Sequence, residues 1–157
     1  MNTAFYSTLI GWVGISESNG AITAIFLDKE HQANDGMGTK TPVLDEAAKQ
    51  LAEYLAGKRK AFNLRLAPEG TEFQKTVWKA LREIPYGETR SYRQVAEAIG
   101  QPKASRAIGM ANNKNPIMIV TPCHRVIGAD GKLVGYAAGL AVKKKLLDME
   151  KDYRDEE

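Results

Sequence analysis

The sequence predicts an α+β chain: a small mixed unit over residues 1–69, then a mostly helical unit over residues 70–157. Three observations carry this. Residues 4–27 alternate and are rich in Ile, Val, Thr and aromatics, the period of a half-buried strand. Val43, Leu44, Ala47, Ala48, Leu51, Tyr54 and Leu55 recur at helical spacing. After Pro68-Glu69-Gly70 come two S/T-x-x-Q boxes, each a signal for a helix start.

In the first unit, Asn19-Gly20 sits in the middle of the alternating stretch, which reads as one β-hairpin closed by a tight primed turn. Residues 31–41 lack periodicity and read as a loop, with His31 solvated in it. Thr41-Pro42 opens the helix and Gly57 stops it. Phe62–Leu66 reads as a short strand. Trp12 and Trp78 read as core residues.

In the second unit, Thr71-Glu-Phe-Gln74 caps a helix to about Glu83, and Ile84-Pro85-Tyr86-Gly87 breaks it. Ser91-Tyr-Arg-Gln94 caps the next, to Ile99. Gly100-Gln101-Pro102 turns the chain, with Pro102 at the first position of a helix to about Asn112. Two short helices joined by a Gly-containing turn form the helix-turn-helix pattern. In the second helix Ala104, Ala107, Ile108 and Ala111 form the inner stripe. Its outer face is small except for one long cation, Arg106, which can probe a groove. Ile117–Val120 reads as a buried strand that presents Cys123 and His124 at its end. The last helix runs from about Leu140 to Lys151, with Leu146 and Leu147 inward and Lys143 to Lys145 mostly outward.

The net charge of +3 is mild, but residues 75–125 carry nine basic and three acidic groups. A basic middle third suits an anionic partner, nucleic acid first. Hydrophobic residues at 43% and charged residues at 26% fit a globular chain, and no apolar run reaches membrane-spanning length. Without a basic start followed by an apolar stretch, a secretory signal is not expected, and the expected compartment is the cytoplasm. One cysteine excludes an internal disulfide. With only His31 and His124 beside it, no metal and no cofactor are expected.

Cys123 is either a small buried hydrophobe or a reactive thiol. A cysteine nucleophile needs a base or a positive field, and a histidine base needs an orienting acceptor. His124 is adjacent, and Glu150 is one of few carboxylates able to fold back towards it. Spacing alone makes this pairing a weak signal.

The string Pro122-Cys-His-Arg-Val126 resembles the active-site signature of the O6-alkylguanine-DNA alkyltransferases. Ser91-Tyr-Arg-Gln-Val-Ala96, Pro102-Lys-Ala-Ser-Arg-Ala-Ile-Gly109, Asn115-Pro116, Gly135-Tyr-Ala-Ala-Gly-Leu140 and Leu146-Leu-Asp-Met-Glu150 fall in that family's order. The likeness covers roughly residues 70–151 strongly and the first 69 in general layout. It implies an RNase-H-like first domain and a second domain with a winged-helix-like helix-turn-helix. The function it implies is stoichiometric transfer of an alkyl group from O6-alkylguanine in double-stranded DNA to Cys123, after base flipping from the minor groove.

By the same resemblance, His124, a water and Glu150 relay the proton, Asn115 braces the turn before Cys123, and Tyr92 serves the pocket and the 3′ phosphate. Arg106 fills the gap in the stack. Ser91, Lys103, Ala104, Ser105 and Arg125 join it in touching DNA. Val126, Tyr136, Ala137 and Met118 line the base pocket. Ala137 and Ala138 stand where some members have serine and glycine, and Met118 where some have proline, which bears on bulky adducts. The chain is expected to act as a monomer, away from membranes. The rival from another class is a non-catalytic lesion sensor or helix-turn-helix regulator, indifferent to Cys123.

Overall fold

The alternating stretch produces three strands, β1 (Asn2–Thr8), β2 (Gly11–Ser18) and β3 (Ala21–Leu27), in an antiparallel meander. The computed structural model describes residues 1–133, 135–136 and 138–154. They fall into two compact units, Met1–Glu69 and Gly70–Glu157. The hairpin expected at Asn19-Gly20 is there, with φ of 54° and 81°, the double positive φ of a primed turn. A second hairpin precedes it at Leu9-Ile10, where the expected single hairpin had continuous strand. There the Thr8 hydroxyl donates to the Gly11 carbonyl (2.6 Å) and accepts from the Ile10 N–H (3.2 Å), a polar turn that hydrophobic alternation does not announce.

Helix α1 (Pro42–Leu55) starts at Thr41, whose hydroxyl accepts from the Leu44 N–H. Its Leu44, Ala47, Leu51 and Tyr54 are buried, as are Val13, Ile15, Ile22 and Ile25 of the sheet it packs on. Phe62–Leu66 is not a strand. The buried Gln50 amide takes the Asn63 backbone, donating to its carbonyl (3.1 Å) and accepting from its N–H (2.9 Å). Ile22 meets this segment as a sheet edge, through Arg65 and Ala67. His31 is not solvated either. Its ring stacks on Phe5 (4.4 Å between centroids) and leans on Trp12, because the loop after β3 folds back over the aromatic face.

The second unit contains α2 (Glu72–Arg82), β4 (Arg90–Ser91), α3 (Tyr92–Ala98) and α4 (Ser105–Asn113). A one-turn 3-10 helix (Cys123–Arg125), β5 (Val126–Ile127) and α5 (Leu140–Tyr153) follow. Both capping boxes form as expected, at Thr71 and Ser91. Val77, Trp78, Leu81, Val95, Ile108, Ala111, Cys123 and Val126 share one core, into which the Trp78 indole donates to the Ala111 carbonyl (2.9 Å). No described helix is long and apolar enough to cross a membrane.

Two expectations for this unit change. Helix α4 begins at Ser105, not Pro102, because the Ala104 N–H bonds the Gln101 carbonyl (2.9 Å) and Pro102 sits inside that turn. Its inner face accordingly centres on Ile108, Ala111 and Asn112, and Ala107 is exposed. Ile117, Met118 and Ile119 are buried, but Ile117–Val120 is a turn, not a strand. The Val120 N–H returns to Met118 (2.8 Å), the Thr121 N–H returns to Ile117 (3.1 Å), and Ile119 adopts φ 72°. A β-branched residue in that region is strained by roughly 1–2 kcal/mol.

The Asn115 side chain holds this turn. It donates to the carbonyls of Ile117 (3.3 Å) and Thr121 (2.8 Å) and accepts from the Ile117 N–H (3.0 Å). Asn115→Ala takes the side-chain partner of the Ile117 N–H and one of the two donors at each of the Ile117 and Thr121 carbonyls, beside a strained residue. Denaturant unfolding should show a loss of roughly 2–3 kcal/mol, and an unchanged midpoint would remove Asn115 as the brace.

Candidate active site and nucleic-acid interface

Cys123 follows Pro122, whose φ −81° and ψ 66° form an inverse γ-turn closed by the Cys123 N–H on the Thr121 carbonyl (2.8 Å). The single cysteine is thus delivered by the turn that Asn115 braces, and its own carbonyl accepts from the Asn112 amide (3.4 Å). Burial pushes its thiol up to about 11. The Asn115 amide, the Lys143 charge and the main-chain N–H groups of Cys123 and His124 act the other way. At neutral pH the resting group is the thiol.

Next to it, His124 is fully enclosed and its Nε2 lies 2.6 Å from Glu150 Oε2. Burial holds the imidazole below its ordinary range, against the pull of Glu150. Glu150 is held at about 2: burial pushes it up, and the hydrogen bonds and charges of His124 and Arg125 outweigh that. An ionised carboxylate only accepts, so the neutral histidine carries its proton on Nε2 and leaves Nδ1 as its basic nitrogen. Arg125 donates to both Glu150 oxygens (2.8 and 3.0 Å) and to the Ile84 carbonyl (2.7 Å), and the Gly87 N–H donates to Oε1 (3.2 Å).

Arg125 is therefore corrected from the DNA-contacting set. It is 7% exposed, turned inward by the carboxylate of a helix 25 residues away. Within the lysine run Lys144 and Lys145 are exposed as expected, and Lys143 is the member that departs. Lys143 is fully buried, donating to the Val126 carbonyl (2.6 Å) and reaching Gly135 (3.5 Å), and its charge is felt at Cys123. Sequence reasoning missed it; the available signal was its place on α5 three residues before the buried Leu146, on the same face. Gly87 was missed as well, because it contributes only its backbone.

Val126 is buried and pairs with Arg90 across β4 and β5. The Tyr136 hydroxyl is enclosed with no hydrogen-bond partner among the described residues; burial above all, with the Glu150 charge and that of Cys123 once ionised, keeps it protonated. Tyr92, at the start of α3, is kept protonated by burial and by Cys123, with the Asn112 amide opposing. Met118 is buried in the turn before Cys123. Ala137 lies outside the described residues.

The other expected contacts gather around the helix-turn-helix. Ser91 caps α3, accepting from the Gln94 N–H (3.1 Å). Lys103 and Arg106 are exposed, with Ala104 and Ser105 half-buried between them at the start of α4. Gly109 faces Tyr92, where a Cβ would lie 3.6 Å from the ring. One end of α4 thus offers a cation on a low surface beside the tyrosine that leads to Cys123.

The chain matches two family models in order. The ribonuclease-like domain of 6-O-methylguanine DNA methyltransferase matches residues 1–68, and the DNA binding domain of the same family matches residues 72–152. A methylated-DNA–protein-cysteine methyltransferase of Methanosarcina acetivorans is 66% identical over 105 residues, 67% of each chain. The constitutive one of Bacillus subtilis is 46% identical over 151 residues, 92% of each chain. Among solved structures, Mycobacterium tuberculosis OGT in complex with DNA has a TM-score of 0.85 at 43% identity, covering 95% of this chain and 92% of that one. The M. tuberculosis O6-methylguanine methyltransferase has a TM-score of 0.88 at 39% identity, covering 99% and 95%. With both halves matched in order, the chain belongs to the 6-O-methylguanine DNA methyltransferase family.

Proposed function

We propose that this protein repairs DNA directly, moving the alkyl group of O6-alkylguanine in a duplex onto Cys123, once per molecule. The observation that carries the proposal is the chain's single thiol, held one residue from a buried His124–Glu150 pair 2.6 Å long and beside a helix-turn-helix. Residues 1–69 form the ribonuclease-like domain of this reading, and residues 70–157 bind DNA and transfer the alkyl group. The protein acts as a monomer in the cytoplasm.

The guanine is flipped from the minor groove, because its O6 substituent cannot be reached in line within a stacked pair. Arg106 enters the vacated space, while Ser91, Tyr92, Lys103, Ala104 and Ser105 hold the backbone around it. In the pocket, the main chain near Val126 and Ala137 reads the base edge against Tyr136, and Met118 limits the adduct. The Cys123 proton leaves through a water to His124 Nδ1, and Glu150 stabilises the imidazolium that forms. Sulfur attacks the alkyl carbon as the carbon–O6 bond breaks. Tyr92, protonated in the resting protein, donates its proton to the departing guanine. The product is a thioether, which no residue here reverses. Lys143 favours the thiolate as it forms, by the field it already exerts at Cys123.

Three outcomes test this. Intact mass after mixing with a duplex containing one O6-methylguanine should rise by one methylene per chain, and Cys123→Ala should not change. No gain, with the lesion duplex still preferred over undamaged DNA, makes the protein a lesion sensor instead. Arg106→Ala should slow repair of duplex roughly 10- to 100-fold, the rate equivalent of the few kcal/mol at stake in a flipped stack. Reaction with the free base should be spared, and equal losses would refute the gap-filling role.

Glu150→Gln should slow transfer by roughly 100-fold with DNA affinity nearly intact. It should also change acid stability. The carboxyl sits at about 2 in the folded chain against an ordinary 4.5, so the unfolded chain binds more protons between those values. The stability it contributes is complete above pH 4.5 and is lost as pH falls towards 2. The variant should lose roughly 3 kcal/mol at neutral pH and show a flatter acid limb in unfolding followed by circular dichroism. A steep limb in the variant would shift the acid sensitivity to other carboxylates.

A further inference from the structure

The exposed arc of α4 holds a second probe beside Arg106. At about 100° per residue, Asn113, Arg106, Met110, Lys114 and Ala107 follow one another around the outer face, while Gly109 turns towards Tyr92. Met110 is the odd member, an apolar side chain 67% exposed. It lies one turn beyond Arg106, and helical side chains lean towards the N-terminus, which carries its thioether over the turn that bears Arg106. On its far side is a cleft of about 240 Å³ between α2 and α4, lined by Thr71, Phe73, Gln74, Ala107 and Lys114. No carboxylate is among the cleft's described lining residues.

Building on the proposed function, we infer that Met110 is a second DNA-contacting side chain of α4. It packs on deoxyribose edges in the minor groove beside the step that Arg106 enters, and the adjoining backbone lies along the cleft towards Lys114. A groove wall supplies what this surface lacks: apolar sugar edges for the thioether and phosphates for the flanking cations. The surface is continuous with the Arg106 face, so a duplex seated on Arg106 meets Met110 without a further element. Because the contact is to sugar and not to the flipped base, it acts on damaged and undamaged duplex alike.

The test compares wild type, Met110→Ala, Met110→Glu, Arg106→Ala and the Arg106→Ala/Met110→Ala pair. It reads affinity for undamaged and O6-methylguanine duplexes, the transfer rate with duplex and with free base, and oligomeric state. Met110→Ala should weaken binding to both duplexes by roughly tenfold, as for an apolar side chain losing its buried surface. Met110→Glu should weaken it further. The loss should fall on duplex affinity and spare the free-base rate. Thermal unfolding should stay unchanged, since the side chain is exposed.

In the double variant the Met110→Ala loss should persist on top of that of Arg106→Ala, short of full multiplication because the two lie one turn apart. A loss that vanishes in the Arg106→Ala background would reduce Met110 to a prop for Arg106 and overturn the inference. So would wild-type affinity in both Met110 variants, or an oligomer abolished by Met110→Glu with DNA binding intact. Failure of the wild type to gain a methylene overturns the alkyl-transfer reading separately, and a Met110-dependent affinity then still supports the sugar contact.

Discussion

The carboxylate of Glu150 is the group on which the packing around Cys123 and His124 depends. A buried negative charge costs several kcal/mol unless it is neutralised and fully hydrogen-bonded. Here Arg125 meets both oxygens, His124 meets one and the Gly87 main chain meets the other. Those four donations tie α5 to the 3-10 turn of Cys123–Arg125 and to the break after α2. The same carboxylate chooses the histidine tautomer, which makes Nδ1 the nitrogen able to take a proton. Structural and chemical roles are inseparable at this residue.

The thiol presents the opposite problem. Burial makes Cys123 a poor thiolate at rest, which protects an irreplaceable group from solvent oxidants and incidental electrophiles. On the proposed once-per-molecule transfer that reticence has a use, because each stray reaction would consume a whole molecule. Lys143 and the Asn115 amide oppose burial without overcoming it. Ionisation therefore fits best at the moment a substrate fills the pocket and the proton can pass to neutral His124. Strain is placed close by, at Ile119, in a turn whose polar groups the Asn115 side chain satisfies.

The outer face of α4 follows a different rule. Its helix is held from within by Ile108, Ala111 and Asn112, which leaves the outside free of packing duties. Ala104, Ser105 and Gly109 are half-buried there, and Arg106, Met110 and Lys114 stand exposed around them.

Local signals in the sequence specified much of this protein. Thr71-x-x-Gln74 and Ser91-x-x-Gln94 determine helix starts through contacts within three residues, and Asn19-Gly20 determines its turn through positive φ. The basic middle third and the Pro-Cys-His-Arg-Val string pointed to DNA and to Cys123. The folded structure decided what depends on which side chain reaches a given backbone group or charge. Ile117–Val120 has a strand's composition, yet the Asn115 side chain takes its backbone and makes a turn. Phe62–Leu66 meets Gln50 before it can extend a sheet. Arg125 and Lys143 look like surface cations by type and composition. One turns inward because a carboxylate 25 residues later needs its charge, the other because the Val126 carbonyl waits 17 residues earlier. Propensity and periodicity act over a few residues, whereas the cost of an unpaired buried charge is settled only once the chain has closed around it.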